Sequence, residues 1–232
     1  MEIKEYDSIL VVSPHADDES IGCGGLLAKY GKQSDVLLIT DGRHGHTTEG
    51  YNDETVLIDL RKDEIKSVAK ICNLRNLFFL NIEDQKVGEN SCVVKKFDIS
   101  PYTHIFVPNR YESHKDHNVL YAIFKSMKKK QKSSAKLYEY EVWTPIRYPS
   151  DYLDISGVIE MKREMIGQYK SQIADVDYVD KGIALSNYRG MASDFDFAEA
   201  FALSSSRQIK NEIFMNLPLW LKLRIYHGIN RR

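Results

Sequence analysis

The chain has 232 residues, of which 32 are Lys or Arg and 33 Asp or Glu, giving a formal net charge of −1; 43% are hydrophobic and 28% charged. These values describe a globular chain with ample residues for a core, and they exclude the bulk electrostatic footprint of a general nucleic-acid binder. No apolar run approaches the roughly 20 residues needed to span a bilayer, and Met1 to Glu5 lacks the basic start and apolar stretch of a signal peptide, so a cytoplasmic protein is expected.

In chain order, Ser8 to Ser13 (SILVVS) is a short apolar run suited to a buried parallel strand, ended by Pro14. A helical pattern follows from Glu19 to Lys32, then a second strand over Val36 to Thr40 and a turn at Asp41-Gly42. Polar residues from Arg43 to Asp53 form a long loop. Glu54 to Cys72 reads as a helix with Val56, Leu60, Ile65, Val68 and Ala69 as its core stripe. Strands are expected over Leu77 to Leu80 and Thr103 to Val107, a helix over His117 to Lys130, and a strand over Lys136 to Thr144. Ile159 to Ser171 and Phe195 to Leu203 read as helices. Strands alternating with helices predict one Rossmann-like α/β domain, a three-layer sandwich with a mostly parallel central sheet spanning residues 1 to 232.

Two clusters carry chemistry. Pro14-His15-Ala16-Asp17-Asp18-Glu19 directly follows the first strand, and His114-Lys115-Asp116-His117 follows the fourth. Loops at the carboxyl ends of strands are where open α/β sheets bind ligands. Three of the 7 histidines sit in these loops, with acids that cost stability there unless they are paired or hold a cation. His nitrogen and carboxylate oxygen together suit a divalent metal.

These motifs resemble the zinc-dependent N-deacetylases of the PIG-L/LmbE-like family. Their Pro-His-Pro-Asp-Asp-Glu loop stands here as PHADDE, with Ala16 in place of proline, and their His-x-Asp-His as HKDH. The resemblance extends through Thr40-Asp41-Gly42, Arg61 and Glu64, Tyr169-x-Ser171-Gln172 and Ala198-Glu199-Ala200-Phe201. It implies that His15, Asp18 and His117 hold the metal, that Asp17 is the general base, that His114 stabilises the oxyanion as an imidazolium, and that Asp116 orients His114. It further implies substrate contacts from Arg61, from Tyr111 before the second cluster, and from Arg189 within Tyr188-Arg189-Gly190. The expected reaction is removal of acetyl from an N-acetylglucosamine-type sugar or glycoconjugate. Zinc is the implied cofactor, with ferrous iron or another divalent metal left open. An amidase acting on another small amide, such as a thiol conjugate, and a metal- or sugar-binding module without turnover are the rival readings. A free base and an oxyanion donor argue against the second rival, which needs neither.

Other features read more plainly. His44 and His46 are expected to be surface residues of the long loop. The glycines of Gly22 to Gly25 lack dinucleotide-binding spacing and are assigned to close helix packing. The basic run at Lys128, Lys129, Lys130 and Lys132, before Ser133-Ser134, suits a solvated helix C-terminus. Cys23, Cys72 and Cys92 form no CxxC pair and are expected to be reduced thiols. From Phe214 to Ile229, apolar residues alternate with Lys222 and Arg224 as in an amphipathic helix. Packing on the domain or on a second copy is the first account, and peripheral membrane contact the alternative.

Overall fold

The computed structural model describes residues 1–45, 53–174, 176–205, 214, 216–219 and 221–222. Strands β1 (Ile9–Ser13), β2 (Ser34–Thr40), β3 (Asn76–Ile82), β4 (His104–Pro108), β5 (Lys136–Tyr140), β6 (Asp151–Asp154) and β7 (Ala198–Leu203) form one sheet in the order β3-β2-β1-β4-β5-β7-β6. The first five pair in parallel, and β7 runs antiparallel to both β5 and β6. The helices are α1 (Asp18–Tyr30), α2 (Glu54–Ile71), α3 (Ser91–Val94), α4 (Lys115–Lys130), α5 (Ile159–Ile166), α6 (Lys170–Ile173) and α7 (Tyr178–Met191). This is the expected α/β Rossmann-like architecture.

Successive side chains of the central strands point to opposite faces, so each strand feeds two cores. Ile9, Val11, Val36, Leu38 and Phe106 pack on one side with α1 residues such as Leu26 and with Met165 and Ile166 of α5. Leu10, Val12, Leu37, Ile39, Ile105 and Val107 pack on the other with Leu120, Phe124 and Met127 of α4. Burial on both faces explains why these strands read as continuous apolar runs rather than alternating ones.

Phe195 to Leu203 corrects the sequence expectation: Ala198–Leu203 is a strand, not a helix. Its Ala, Glu and Leu residues favour helix intrinsically, but the slot between β5 and β6 supplies two ladders and near-complete burial, which override propensity. The α2 stripe is also displaced. Val56 is exposed, and the buried positions are Leu57, Arg61, Glu64, Ile65 and Val68. Two of the five are charged: Arg61 lines the site described below, and Glu64 binds Ser171 of α6.

The glycines of α1 pack as expected. A Cβ on Gly22 would lie 2.3 Å from the Tyr140 ring of β5, and one on Gly25 equally close to Ile155. The helix departs from helical geometry at Cys23, and Glu199 of β7 accepts the Gly25 and Leu26 N–H groups just beyond it at 2.7 and 2.9 Å. Lys162 pairs with the same carboxylate at 2.7 Å. Lys128, Lys129 and Lys130 fall in the last turn of α4. No helix among the described residues is long and apolar enough to cross a membrane. Most of the predicted 214–229 helix lies outside the described residues; within it, Pro218 O accepts from Leu221 and Lys222 in one turn.

Candidate functional site

In the sheet order, the side on which successive strands are added switches between the parallel neighbours β1 and β4, with β2 beyond β1 and β5 beyond β4. The crevice at the carboxyl ends of such a pair is open because the crossovers leave in opposite directions. The PHADDE loop leaves β1 there, and the HKDH segment opens α4 after β4. The loop is fixed on three sides. Thr40 at the end of β2 donates from both N and Oγ1 to Pro14 O, at 3.0 and 2.8 Å. Ser13 Oγ reaches His15 O and Glu19 Oε2 at 2.6 and 2.9 Å. Glu19, fully enclosed, also accepts from Asp17 N, Ser20 Oγ and the Tyr169 hydroxyl.

Within this frame Asp17 takes φ 145° and ψ −33°, a backbone conformation costly for a residue with a side chain. It turns the chain so that Asp17 and Asp18 both face the crevice. His15 Nδ1, Asp18 Oδ2 and His117 Nε2 form a triangle with sides of 3.1, 3.2 and 3.2 Å. A tetrahedral ion with ligands at about 2.0–2.1 Å sets its donors roughly 3.3 Å apart, so the triangle fits such an ion. His117 Nδ1 is buried without a hydrogen-bond partner among the described residues. His15 Nε2 faces Asp84 Oδ1 at 3.0 Å, so the neutral, ligating form of the ring keeps its proton on Nε2 and turns the Nδ1 lone pair to the triangle. A wider set, His15, Asp84, His114 and Asp116, also keeps its ligand atoms within 4.8 Å, but the closer triangle better matches one ion.

The charges are strongly coupled. Burial raises Asp18, but the imidazoles of His117 and His15 outweigh it and hold its carboxyl far below the usual range. Burial lowers His15, yet Asp116, Asp18 and Asp84 together raise it well above an ordinary histidine. Asp17 is pushed up to about 8, chiefly by burial and against the opposing pull of Arg61.

Asp116 and His114 differ from expectation. The Asp116 carboxylate accepts from Gln85 N and Val87 N at 2.6 and 3.2 Å, so it clamps the loop after β3 rather than the His114 ring. It is the Asp116 backbone N–H that donates to His114 Nδ1, at 3.3 Å, with His114 as the N-cap of α4. That bond leaves the proton of a neutral imidazole on Nε2. Burial, together with the neighbouring His15 and His117, lowers His114, which favours this neutral form over the expected imidazolium.

A cavity of about 310 Å³ opens over the triangle, lined by His15, Asp17, Asp18, His117, His114, Arg61 and Asp84, with His44, Gln172, Trp143, Val176 and Tyr178 above them. Arg61 Nη2 lies 3.5 Å from Asp17 Oδ1, and its guanidinium also donates to Gly42 O and Ala16 O. Glu64 is instead taken by Ser171 N and Oγ at 2.8 and 2.7 Å, which docks α6 on α2 and brings Gln172 to the cavity wall. His44 lines the mouth, its N–H 3.3 Å from Asp84 Oδ2; His46 lies outside the described residues.

Two expected substrate contacts are not among the residues lining this cavity. Arg189 is buried against Glu141 and Ile146 O, because α7 faces β7 and the 141–146 loop at that point. Tyr111 is 65% exposed and borders a separate hollow with Pro145 and Tyr148. Sequence reasoning missed Asp84, because β3 runs on to Ile82 and carries it to the crevice. It also missed Trp143 and Tyr178, whose positions no motif marks.

The sequence profile of PIG-L, described as GlcNAc-PI de-N-acetylase, matches residues 10–128. Among solved structures, the chain is similar to N,N'-diacetylchitobiose deacetylase from Pyrococcus horikoshii, with TM-score 0.71 and 20% identity over 86% of this chain and 84% of that one. It is similar to the conserved protein TT1542 from Thermus thermophilus, with TM-score 0.69 and 23% identity over 85% and 94%. It is also similar to GalB, the 4-carboxy-2-hydroxymuconate hydratase from Pseudomonas putida, with TM-score 0.68 and 19% identity over 86% and 96%.

Proposed function

The chain belongs to the PIG-L family, and from that membership we propose that it is a metal-dependent hydrolase removing acetyl from an N-acetylglucosamine-type sugar or glycoconjugate. The observation that carries the reading is the triangle of His15 Nδ1, Asp18 Oδ2 and His117 Nε2 beside a carboxylate, Asp17, that is not part of it. His15, Asp18 and His117 would hold zinc, or ferrous iron in its place, with a fourth position open. A divalent cation there supplies Lewis acidity, lowers the pKa of water and favours the carboxylate form of Asp17.

Asp17 accepts a proton from water as the water oxygen adds to the acetamide carbonyl carbon. His114 donates from Nε2 to the carbonyl oxygen, which gains charge as that bond forms. The C–N bond then breaks, and Asp17 returns its proton to the departing amine nitrogen, leaving acetate and a free amine. Arg61 keeps Asp17 aimed into the crevice, and Asp116 holds the 85–87 loop from which Asp84 reaches His15. The whole chain is read as one catalytic domain, since β6 and β7 complete the sheet begun by β1.

The test is release of acetate and free amine from a panel of N-acetylated sugars and acyclic N-acetyl conjugates. Acetate released in step with amine from a sugar supports the reading. Release only from an acyclic thiol conjugate moves the substrate to the rival amide class. A protein that binds metal but frees no amine from any member overturns the hydrolase assignment, and one that adds water to a carbon–carbon double bond instead belongs with hydratase chemistry.

A further inference from the structure

The floor of the cavity is charged, but one wall is not. Trp143, Val176 and Tyr178 stand together on it, with the Trp143 and Tyr178 rings 4.9 Å apart and inclined at 55°. Trp143 keeps 42% of its surface exposed, an unusual cost for the largest apolar side chain when the same loop buries Val142 and Ile146. The loop is held rather than loose. Glu112, itself buried, accepts the backbone N–H groups of Val142, Trp143 and Thr144 at 3.1, 3.2 and 3.1 Å, and Asn109 Nδ2 at 3.1 Å. A carboxylate taken up by three successive N–H groups fixes the backbone from which Trp143 projects, so the ring lines the cavity beside Tyr178 with much of its surface open.

The geometry points to Trp143, backed by Tyr178, as a stacking wall for the pyranose ring of the substrate, and so as the residue that selects a ring-closed sugar over an open-chain amide. A pyranose is amphipathic in the way this cavity is: its axial C–H bonds form an apolar face, while its hydroxyls and acetamide lie around the rim. The C–H face meets the electron-rich face of the indole, and the rim is left to Asp84, Gln172 and His44. Planar aromatic ligands also stack on tryptophan, but they carry no ring of hydroxyls to satisfy those polar groups. The inference rests on the deacetylase reading for the identity of the acetamide and goes beyond it in naming what recognises the ring.

The experiment compares N-acetylglucosamine with N-acetylglucosaminitol, its reduced open-chain form, in Trp143→Ala and Trp143→Phe proteins loaded with metal. Trp143→Ala is expected to raise KM for the cyclic sugar by roughly tenfold with little change in kcat, to leave the alditol within about twofold, and to be largely rescued by Trp143→Phe. Equal losses on both substrates, or no loss on either, overturn the proposal. Binding is read independently of turnover in a Trp220→Phe background, where Trp143 is the remaining tryptophan. Methyl β-glucoside has no acetamide and cannot be deacetylated. Saturable quenching by it, absent with glucitol, supports the stacking wall even if no sugar is deacetylated. No quenching, or equal quenching by both, overturns it while leaving the deacetylase reading to its own test.

Discussion

Arg61 Nη2 sits 3.5 Å from Asp17 Oδ1, and both residues are almost wholly buried. The same guanidinium donates to Ala16 O at 2.9 Å and to Gly42 O at 3.2 Å, so one side chain of α2 ties the β1 loop to the β2 loop. Gly42 has φ +66°, and a Cβ there would stand 3.0 Å from Arg61 Nε, so the turn and the arginine are fitted to each other. Removing the guanidinium takes away the charge that opposes the burial of Asp17 and leaves the Ala16 and Gly42 carbonyls without this donor, at a typical cost of about 1–3 kcal/mol for each buried group left unpaired. Arg61→Met is therefore expected to lower the thermal midpoint by several degrees and to reduce kcat. Arg61→Lys retains the charge but not the fork, so it recovers much of the midpoint and less of kcat. A kcat in Arg61→Met equal to the parent's sinks the positioning role.

Asp17→Asn separates base from ligand. The amide keeps the shape of the turn but cannot accept a proton, and general-base contributions are on the order of 10²–10⁴-fold. A loss of that size in kcat is expected, with zinc content by atomic absorption unchanged. Loss of metal together with activity would place Asp17 among the ligands instead.

The motifs in the sequence marked the loops that meet at the crevice, because a histidine next to two acids right after a buried strand has few structural excuses. They also marked partners whose use only the fold discloses. Tyr169 reaches Glu19, Ser171 reaches Glu64, and Glu199 supports α1 beyond Cys23. What stayed hidden depended on where strands end and which way helices turn. The extension of β3 to Ile82 carries Asp84 to His15. Apolar periodicity places the α2 stripe on Val56, Leu60 and Ile65, whereas its buried face runs through Arg61 and Glu64 as well as Ile65. Arg189 lies on the side of α7 that Glu141 claims, and no periodicity in 188–190 could distinguish that side from the cavity side.

The contact between His15 Nε2 and Asp84 Oδ1 at 3.0 Å predicts an effect on metal binding without a change of ligand. A carboxylate behind a ligating histidine fixes its tautomer and raises its basicity, and losing one commonly weakens metal binding by about 10–100-fold. Competition titration against a chromogenic chelator is expected to show that weakening in Asp84→Asn, whereas Asp18→Ala or His117→Ala abolishes tight binding. Chelation of the parent is expected to stop acetate release and re-addition of metal to restore it. Unweakened binding in Asp84→Asn means that the carboxylate serves only the cavity wall.

Far from the crevice, His104 begins β4 with its ring buried, stacked on Tyr138 at 6.1 Å, and its Nε2 without a partner among the described residues. Nδ1 is 2.8 Å from Thr103 Oγ1 and 3.7 Å from Asp7 Oδ1, with Lys136 adding a nearby positive charge. Burial lowers its pKa, and Lys136 adds to that while Asp7 opposes it. As pH falls through about 6.5, the unfolded chain takes up a proton at this position while the folded one does not, so the protonation favours unfolding. The loss continues until the pH reaches the depressed folded value and levels off below it. His104→Gln, which has no proton to gain, is expected to be less stable than the parent at pH 8 through lost packing, and the gap in thermal midpoint should narrow steadily towards pH 5.5. A gap that stays constant across that range shows that His104 titrates alike in both states.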